Sequence, residues 1–280
     1  MVLSFVAVFL IRPCVAEEPV RVAAAKPLDL LAKGWGIASG IEFEARAFKP
    51  NDVVRQVAGG RFDFALLSDP ISPGQQTLLA VKPGSVPQIE AVGWEAVTAI
   101  VNASCELGSV QADRLRAVFA ESGCPGVGDP VRNWSALFGL EGLDLGEIRA
   151  IAPSRENTSF KAVEDNLLRG CGLRPDAEGL PTDAAVERAV ASGTDTIGLV
   201  ARLRDIPNAR VLPVVAAGKV DAATPHSVAF SSGAYPFARK IWLVSAKRFY
   251  DPDPRARFRS FALSEKGRDE VVRFGFFPLR

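Results

Sequence analysis

Short apolar runs alternate with amphipathic ones along most of the chain. Val20 to Ala23 predicts a strand. Leu28, Leu31, Ala32 and Trp35 then recur on one helical face, with Pro27 suited to a first helical position. Ile41 to Ala47 alternates with period two and predicts a second strand. Asn51 is placed to cap a short helix over Asp52 to Ala58, ended by Gly59 and Gly60. Strands are expected over Phe62 to Leu67 and Ala96 to Val101, then a helix over Val110 to Ala120 and a strand over Glu147 to Ala152. Thr158 to Leu168 predicts a helix, and Thr182 caps another over Asp183 to Ala191. Strands over Thr196 to Val200 and Lys240 to Val244 precede two closing helices, Ala256 to Ser264 and Glu265 to Arg273.

Strand–helix alternation on this scale implies βαβ units, hence an α/β protein with mainly parallel sheets and helices on both faces. Gly and Pro cluster at 123–130, 170–181 and 251–254, yet no low-complexity linker divides the chain. Two lobes joined by crossing strands fit that pattern.

The N-terminus has a different character. Val2 to Ile11 is apolar but far short of the roughly 20 residues that span a bilayer. It has the length of a signal-peptide core, and Cys14 and Ala16 put small residues at the cleavage positions, although no basic residue precedes the run. A signal peptide over 1–16 and a periplasmic or secreted mature chain are expected; a buried first strand is the alternative. Cleavage leaves Cys105, Cys124 and Cys171 of the four cysteines. In an oxidising compartment these allow one bridge and one free thiol. Cys105–Cys124, closing a loop around one helix, is the first expectation, and a bridge from either to Cys171 stays open.

Composition narrows the chemistry. The chain has 280 residues, 48% of them hydrophobic and 23% charged, with 33 Lys+Arg against 32 Asp+Glu and a net charge of +1. That balance argues against a nucleic-acid partner. The single histidine, His226, excludes multi-histidine zinc sites and reads as a surface residue. No GxSxG or SxxK motif accompanies it, so a binding protein without cofactor or metal is expected rather than an enzyme. Trp35, Trp94, Trp134 and Trp242 read as core residues.

Four strand-to-helix turns could hold a ligand: 24–27, 48–51, 67–70 and 153–159. Helix starts present free N–H groups to anions. Lys26, Lys49 and Arg155 add positive charge, Asn51, Ser68, Thr158 and Ser159 add polar groups, and Asp69 could accept a hydrogen bond from a protonated oxyanion. Each has a plainer reading: solvated lysines, a turn cap at Asp69, an Arg155–Glu156 pair, and caps at Thr158 and Ser159.

Several stretches resemble the periplasmic phosphate-binding proteins of ABC importers, within the type II solute-binding fold. Gly60 to Ser72 is similar to that family's turn after its third strand, and Ala96 to Asn102 to its lobe-crossing strand. Leu115 to Phe119 followed by Asn133-Trp134-Ser135, Ala189 to Ala191 followed by Thr196 to Gly198, and Tyr235 to Arg239 resemble further elements in the same order. Phe261 to Ser264, Gly267 and Phe274 to Pro278 resemble its C-terminal helix and ending.

The resemblance implies a monomeric two-lobe receptor for a phosphate-like oxyanion, with an ABC permease as partner and no stable membrane insertion. Lobe one would be residues 17–97 and 245–280, lobe two 98–244. It places the anion-binding carboxylate at Asp69 and the Arg and hydroxyl donors at Arg155, Thr158 and Ser159. Arg239 is expected to brace the hinge. The first two turns depart from the family: its Gly-Ser/Thr and Gly-Ser-Gly turns are replaced by 24–27 and 48–51, where Pro27 and Pro50 each lack an N–H. That departure leaves open a non-transport interaction or sensory domain with a degenerate anion pocket.

Overall fold

A computed structural model describes residues 18–80, 86–140, 142–202 and 206–279. The expected signal peptide and Cys14 lie outside the described residues. The chain opens with β1 (Val20–Ala25), α1 (Leu28–Ser39), β2 (Phe43–Phe48), α2 (Pro50–Ala58), β3 (Phe64–Leu67) and α3 (Pro73–Leu79). β4 (Gln88–Ala96) and β5 (Thr98–Asn102) follow, separated by Val97. Then come β6 (Val110–Gln111), α4 (Ala112–Phe119), α5 (Trp134–Phe138), β7 (Arg149–Pro153) and α6 (Phe160–Ala162), which runs into a π turn over Val163–Leu168. β8 (Glu178–Leu180), α7 (Asp183–Ser192), β9 (Thr196–Val200), β10 (Ala209–Val211), β11 (Val214–Val215) and β12 (Ala222–Ala223) continue. α8 (Ser227–Ser231), β13 (Ala238–Ser245), α9 (Pro254–Leu263), α10 (Glu265–Arg273) and β14 (Phe277–Pro278) complete it.

β1 shows how the period-two pattern builds the first lobe. Val20, Val22 and Ala24 pack with Leu28, Leu31 and Trp35 of α1 and with Phe258 and Val271 of α9 and α10. Ala23 and Ala25 point the other way, onto Val53, Val54 and Val57 of α2. Both faces of the sheet are therefore covered by helices. Its order is β14-β4-β13-β3-β1-β2, parallel across β3-β1-β2 and antiparallel where β13, β4 and β14 join.

A second sheet, β10-β5-β9-β7-β8, repeats the arrangement. Ile100, Ile151 and Val200 pack under Val186 and Val190 of α7, while Ala99, Val101, Ala150 and Leu199 face Leu115 and Phe119 of α4. A Cβ on Gly198 would overlap the methyls of Val190 and Val186, so a glycine lets α7 lie close on β9. A small third sheet, β12-β11-β6, completes the architecture.

The sheets meet at Val97. Its N–H donates to the Phe237 carbonyl at 2.9 Å, and its own carbonyl accepts the buried Tyr235 hydroxyl at 2.7 Å. Burial pushes the Tyr235 phenol above its ordinary value, which keeps it a donor. β4 of the first sheet thus gives way to β5 of the second at Val97, and β13 begins after Phe237, two positions tied together.

Several sequence expectations change, among them the helix expected from Val110, which starts at Ala112 after the short strand β6. β13 hydrogen-bonds β3 and β4 along its length, so residues 238–244, placed in lobe two from sequence, belong to the first sheet. Asn51 does not cap α2: the helix starts at Pro50, and Lys49 holds the cap position without a side-chain bond. The helix expected over Thr158 to Leu168 begins at Phe160 and widens into the π turn. The disulfide is Cys124–Cys171, with Cα atoms 6.0 Å apart, and Cys105 is free. The Ala120–Leu173 bridge and the Glu121 N–H to Gly172 carbonyl bond (2.9 Å) lay those two segments side by side. Cys105 instead offers its carbonyl to Arg210.

Gly267 sits where α9 turns into α10, its carbonyl accepting Trp35 Nε1 at 2.9 Å. A Cβ there would overlap the backbone carbonyls of Phe261 and Ala262. Gly267→Ala is expected to cost about 1–3 kcal/mol, measured as the urea midpoint shift.

Candidate functional site

β1, β2 and β3 run parallel, so the turns after them open on one edge of the sheet. Lys26 follows β1, Lys49 follows β2 and Asp69 follows β3. β7 of the second sheet delivers the 154–159 turn to the same place. Between them lies a cleft of about 650 Å³, with Lys26, Phe48 and Lys49 on one wall and Arg155, Thr158 and Phe160 on the other. A neighbouring space of about 540 Å³ shares Lys49 and reaches Asn51 and Asp69.

The cations of this cleft differ in their engagement. Lys26, Lys49 and Arg155 are exposed and make no salt bridge among the described residues. Arg155 lies 5.9 Å from the centre of the Phe160 ring. Lys161, also on the cleft, is paired with Glu164 at 3.2 Å and Asp165 at 2.6 Å. Burial alone would lower its ammonium, but those two carboxylates hold it above its ordinary value. Glu156 faces the same space, and a hydrogen bond from Ser154 and the Arg155 charge keep its carboxyl below the usual range. Arg155 makes no salt bridge with Glu156.

The expected polar groups are mostly committed elsewhere. Ser159 is fully buried, and its hydroxyl donates to Asp183 Oδ2 at 2.9 Å. Asn157 donates to Asp183 Oδ1 at 3.1 Å and accepts from the Ser159 N–H at 2.9 Å. Thr158 Oγ1 accepts from Arg202 Nη2 at 3.3 Å. Ser68 is buried at the end of β3, and Asn51 is exposed on α2. Asp69 does not cap α3, which Ser72 and Gln75 close with a capping box. It accepts from Arg239 Nη1 at 3.0 Å. The same guanidinium donates to Glu95 at 2.7 Å and Asp165 at 2.6 Å, joining residues of both sheets' lobes.

Sequence reasoning put Phe48 and Glu156 in ligand-holding turns but did not identify Phe48 and Phe160 as aromatic walls, nor Lys161 as a lining residue. An aromatic residue at the end of a strand or the start of a helix has the same pattern as core. Chemically, the cleft offers three unpaired cations converging from opposite walls, together with aromatic surface. That combination suits an anion. Among the described residues no His/Cys/Asp/Glu group could hold a metal, and no helix is long and apolar enough to cross a membrane.

No protein-family model matches the sequence, and no curated protein matches it. Solved structures do resemble it. A possible phosphate-binding protein from Planctomyces limnophilus aligns with a TM-score of 0.71 at 16% identity, covering 94% of both chains. PstS from Borrelia burgdorferi aligns at 0.68 and 14%, over 94% of this chain and 100% of that one. An ABC-type phosphate transport receptor from Vibrio cholerae aligns at 0.64 and 13%, over 92% and 99%. At such identities the likeness is one of fold: the chain has the two-lobe α/β fold of these binding proteins.

Proposed function

We propose that the protein is a periplasmic or secreted solute-binding receptor that captures a phosphate-like oxyanion between its lobes for an ABC importer, and is not an enzyme. The convergence of unpaired Lys26, Lys49 and Arg155 on one cleft, from opposite walls, carries this reading. The structural neighbours described as phosphate-binding and transport receptors support it. Lobe one comprises residues 18–97 and 238–280 and lobe two 98–237, with hinge closure about Val97 and Phe237.

A ligand that binds only the folded chain stabilises it, by about 2.7 kcal/mol at a hundredfold excess over Kd. A thermal-shift screen of phosphate, sulfate, molybdate, phosphate monoesters and small carboxylates is expected to give a clear rise with a phosphate-like anion. Lys49→Ala with Arg155→Ala should abolish that rise. No rise with any of them would sink the transport reading.

A further inference from the structure

We propose that the cleft takes an organic oxyanion, a phosphate monoester or phosphonate carrying an apolar group, in preference to inorganic phosphate. The inference rests on the oxyanion reading above. Enclosing inorganic phosphate strips its water, so each of its oxygens needs a protein donor in return. This cleft is poor in such donors close to the backbone. The Ser159 hydroxyl and the Asn157 amide both serve Asp183. Thr158 accepts from Arg202 and keeps a single hydroxyl proton to give, while the Asp69 carboxylate, an acceptor, is held by Arg239. Pro50, in the first turn of α2, has no N–H to offer.

Beside the Thr158 hydroxyl stand the ends of three long side chains, Lys26, Lys49 and Arg155, all exposed to solvent, with the Glu156 carboxylate on the same space. They suit an anionic head that stays partly hydrated at the mouth of the cleft. Below them the surface is apolar. Phe160 carries the Arg155 guanidinium over its ring, and Phe48 stands edge-on to Phe62 with ring centres 5.2 Å apart. Pro50 continues the Phe48 wall. An inorganic ion has nothing to place against these groups, whereas a phenyl or alkyl substituent covers the half-buried Phe48 and Pro50. The volume of about 650 Å³ lies within the roughly 300–1,000 Å³ range of organic-ligand pockets.

The test is calorimetric titration of the purified protein with inorganic phosphate, methyl phosphate and phenyl phosphate. Phenyl phosphate is expected to bind about tenfold or more tightly than inorganic phosphate, with methyl phosphate between them. Phe48→Ala should lower the phenyl phosphate affinity more than the inorganic phosphate affinity; an equal loss for both would overturn the assignment of the tail to this wall. The ranking on the unaltered chain decides the matter if that variant does not fold. Inorganic phosphate binding as tightly as phenyl phosphate, or more tightly, overturns the inference and leaves the oxyanion reading standing. Binding of none of the three overturns both.

Discussion

Arg239→Met is expected to destabilise the protein by about 3–5 kcal/mol, read as a lower urea midpoint. Glu95 decides the size of the effect. Its side chain is 2% exposed and receives Arg239 Nε at 2.7 Å. Burial on its own would discourage the guanidinium charge, but Glu95, Asp69 and Asp165 together hold it above its ordinary value. Removing the arginine leaves Glu95 buried and unpaired, with two further carboxylates nearby. The substitution also cuts a tie between lobes, since Asp69 follows β3 and Asp165 lies in the π turn. Adding Glu95→Gln should recover much of the loss, because the orphaned charge is gone. A single-variant effect below about 1 kcal/mol, the size typical of surface pairs, would show that the cluster is not buried in solution.

Cys124→Ser is expected to cost about 4 kcal/mol. That is the chain-entropy estimate for a bridge spanning 47 positions. Cys171 also accepts a contact from Arg116 Nη2 at 3.2 Å, so the bridge sits against a buried cation. Cys105→Ser should stay within about 0.5 kcal/mol, because Cys105 closes no loop. Melting curves with and without reductant, and peptide mapping of the bridge, check both statements. A Cys105–Cys124 peptide would refute the assignment.

The sequence carried much of this architecture where periodicity and caps were local. The strand 196–200 and the helix 265–273 occur with the bounds their patterns predict, and Thr182 caps α7 through the Ala185 N–H. Other elements were hidden by side chains whose partners are distant. Most of β4 went unread because Glu90 and Glu95 look solvent-bound; in the fold they pair with Arg259 and Arg239. α3 begins Pro73-Gly74, which reads as a turn, and only the Ser72–Gln75 box betrays it. The disulfide followed from the way two loops were laid together, which loop length alone does not reveal.

The site divides in the same way. That Lys26, Lys49 and Arg155 line one cleft was legible because strand-to-helix turns place them locally. The engagement of Ser159 by Asp183 and of Asp69 by Arg239 was not, since those partners lie 24 and 170 positions away. These distant partners turn what reads as a hydroxyl-rich anion turn into a cleft of long cations and aromatic walls.

The central claim is that an oxyanion is held between the lobes by groups from both. A crystal structure of the protein with the anion that gives the largest thermal shift tests it most directly. The account predicts the anion within hydrogen-bond distance of both Lys49 and Arg155, with the lobes closed about Val97 and Phe237. An anion bound to one lobe alone, or outside this cleft, would contradict it.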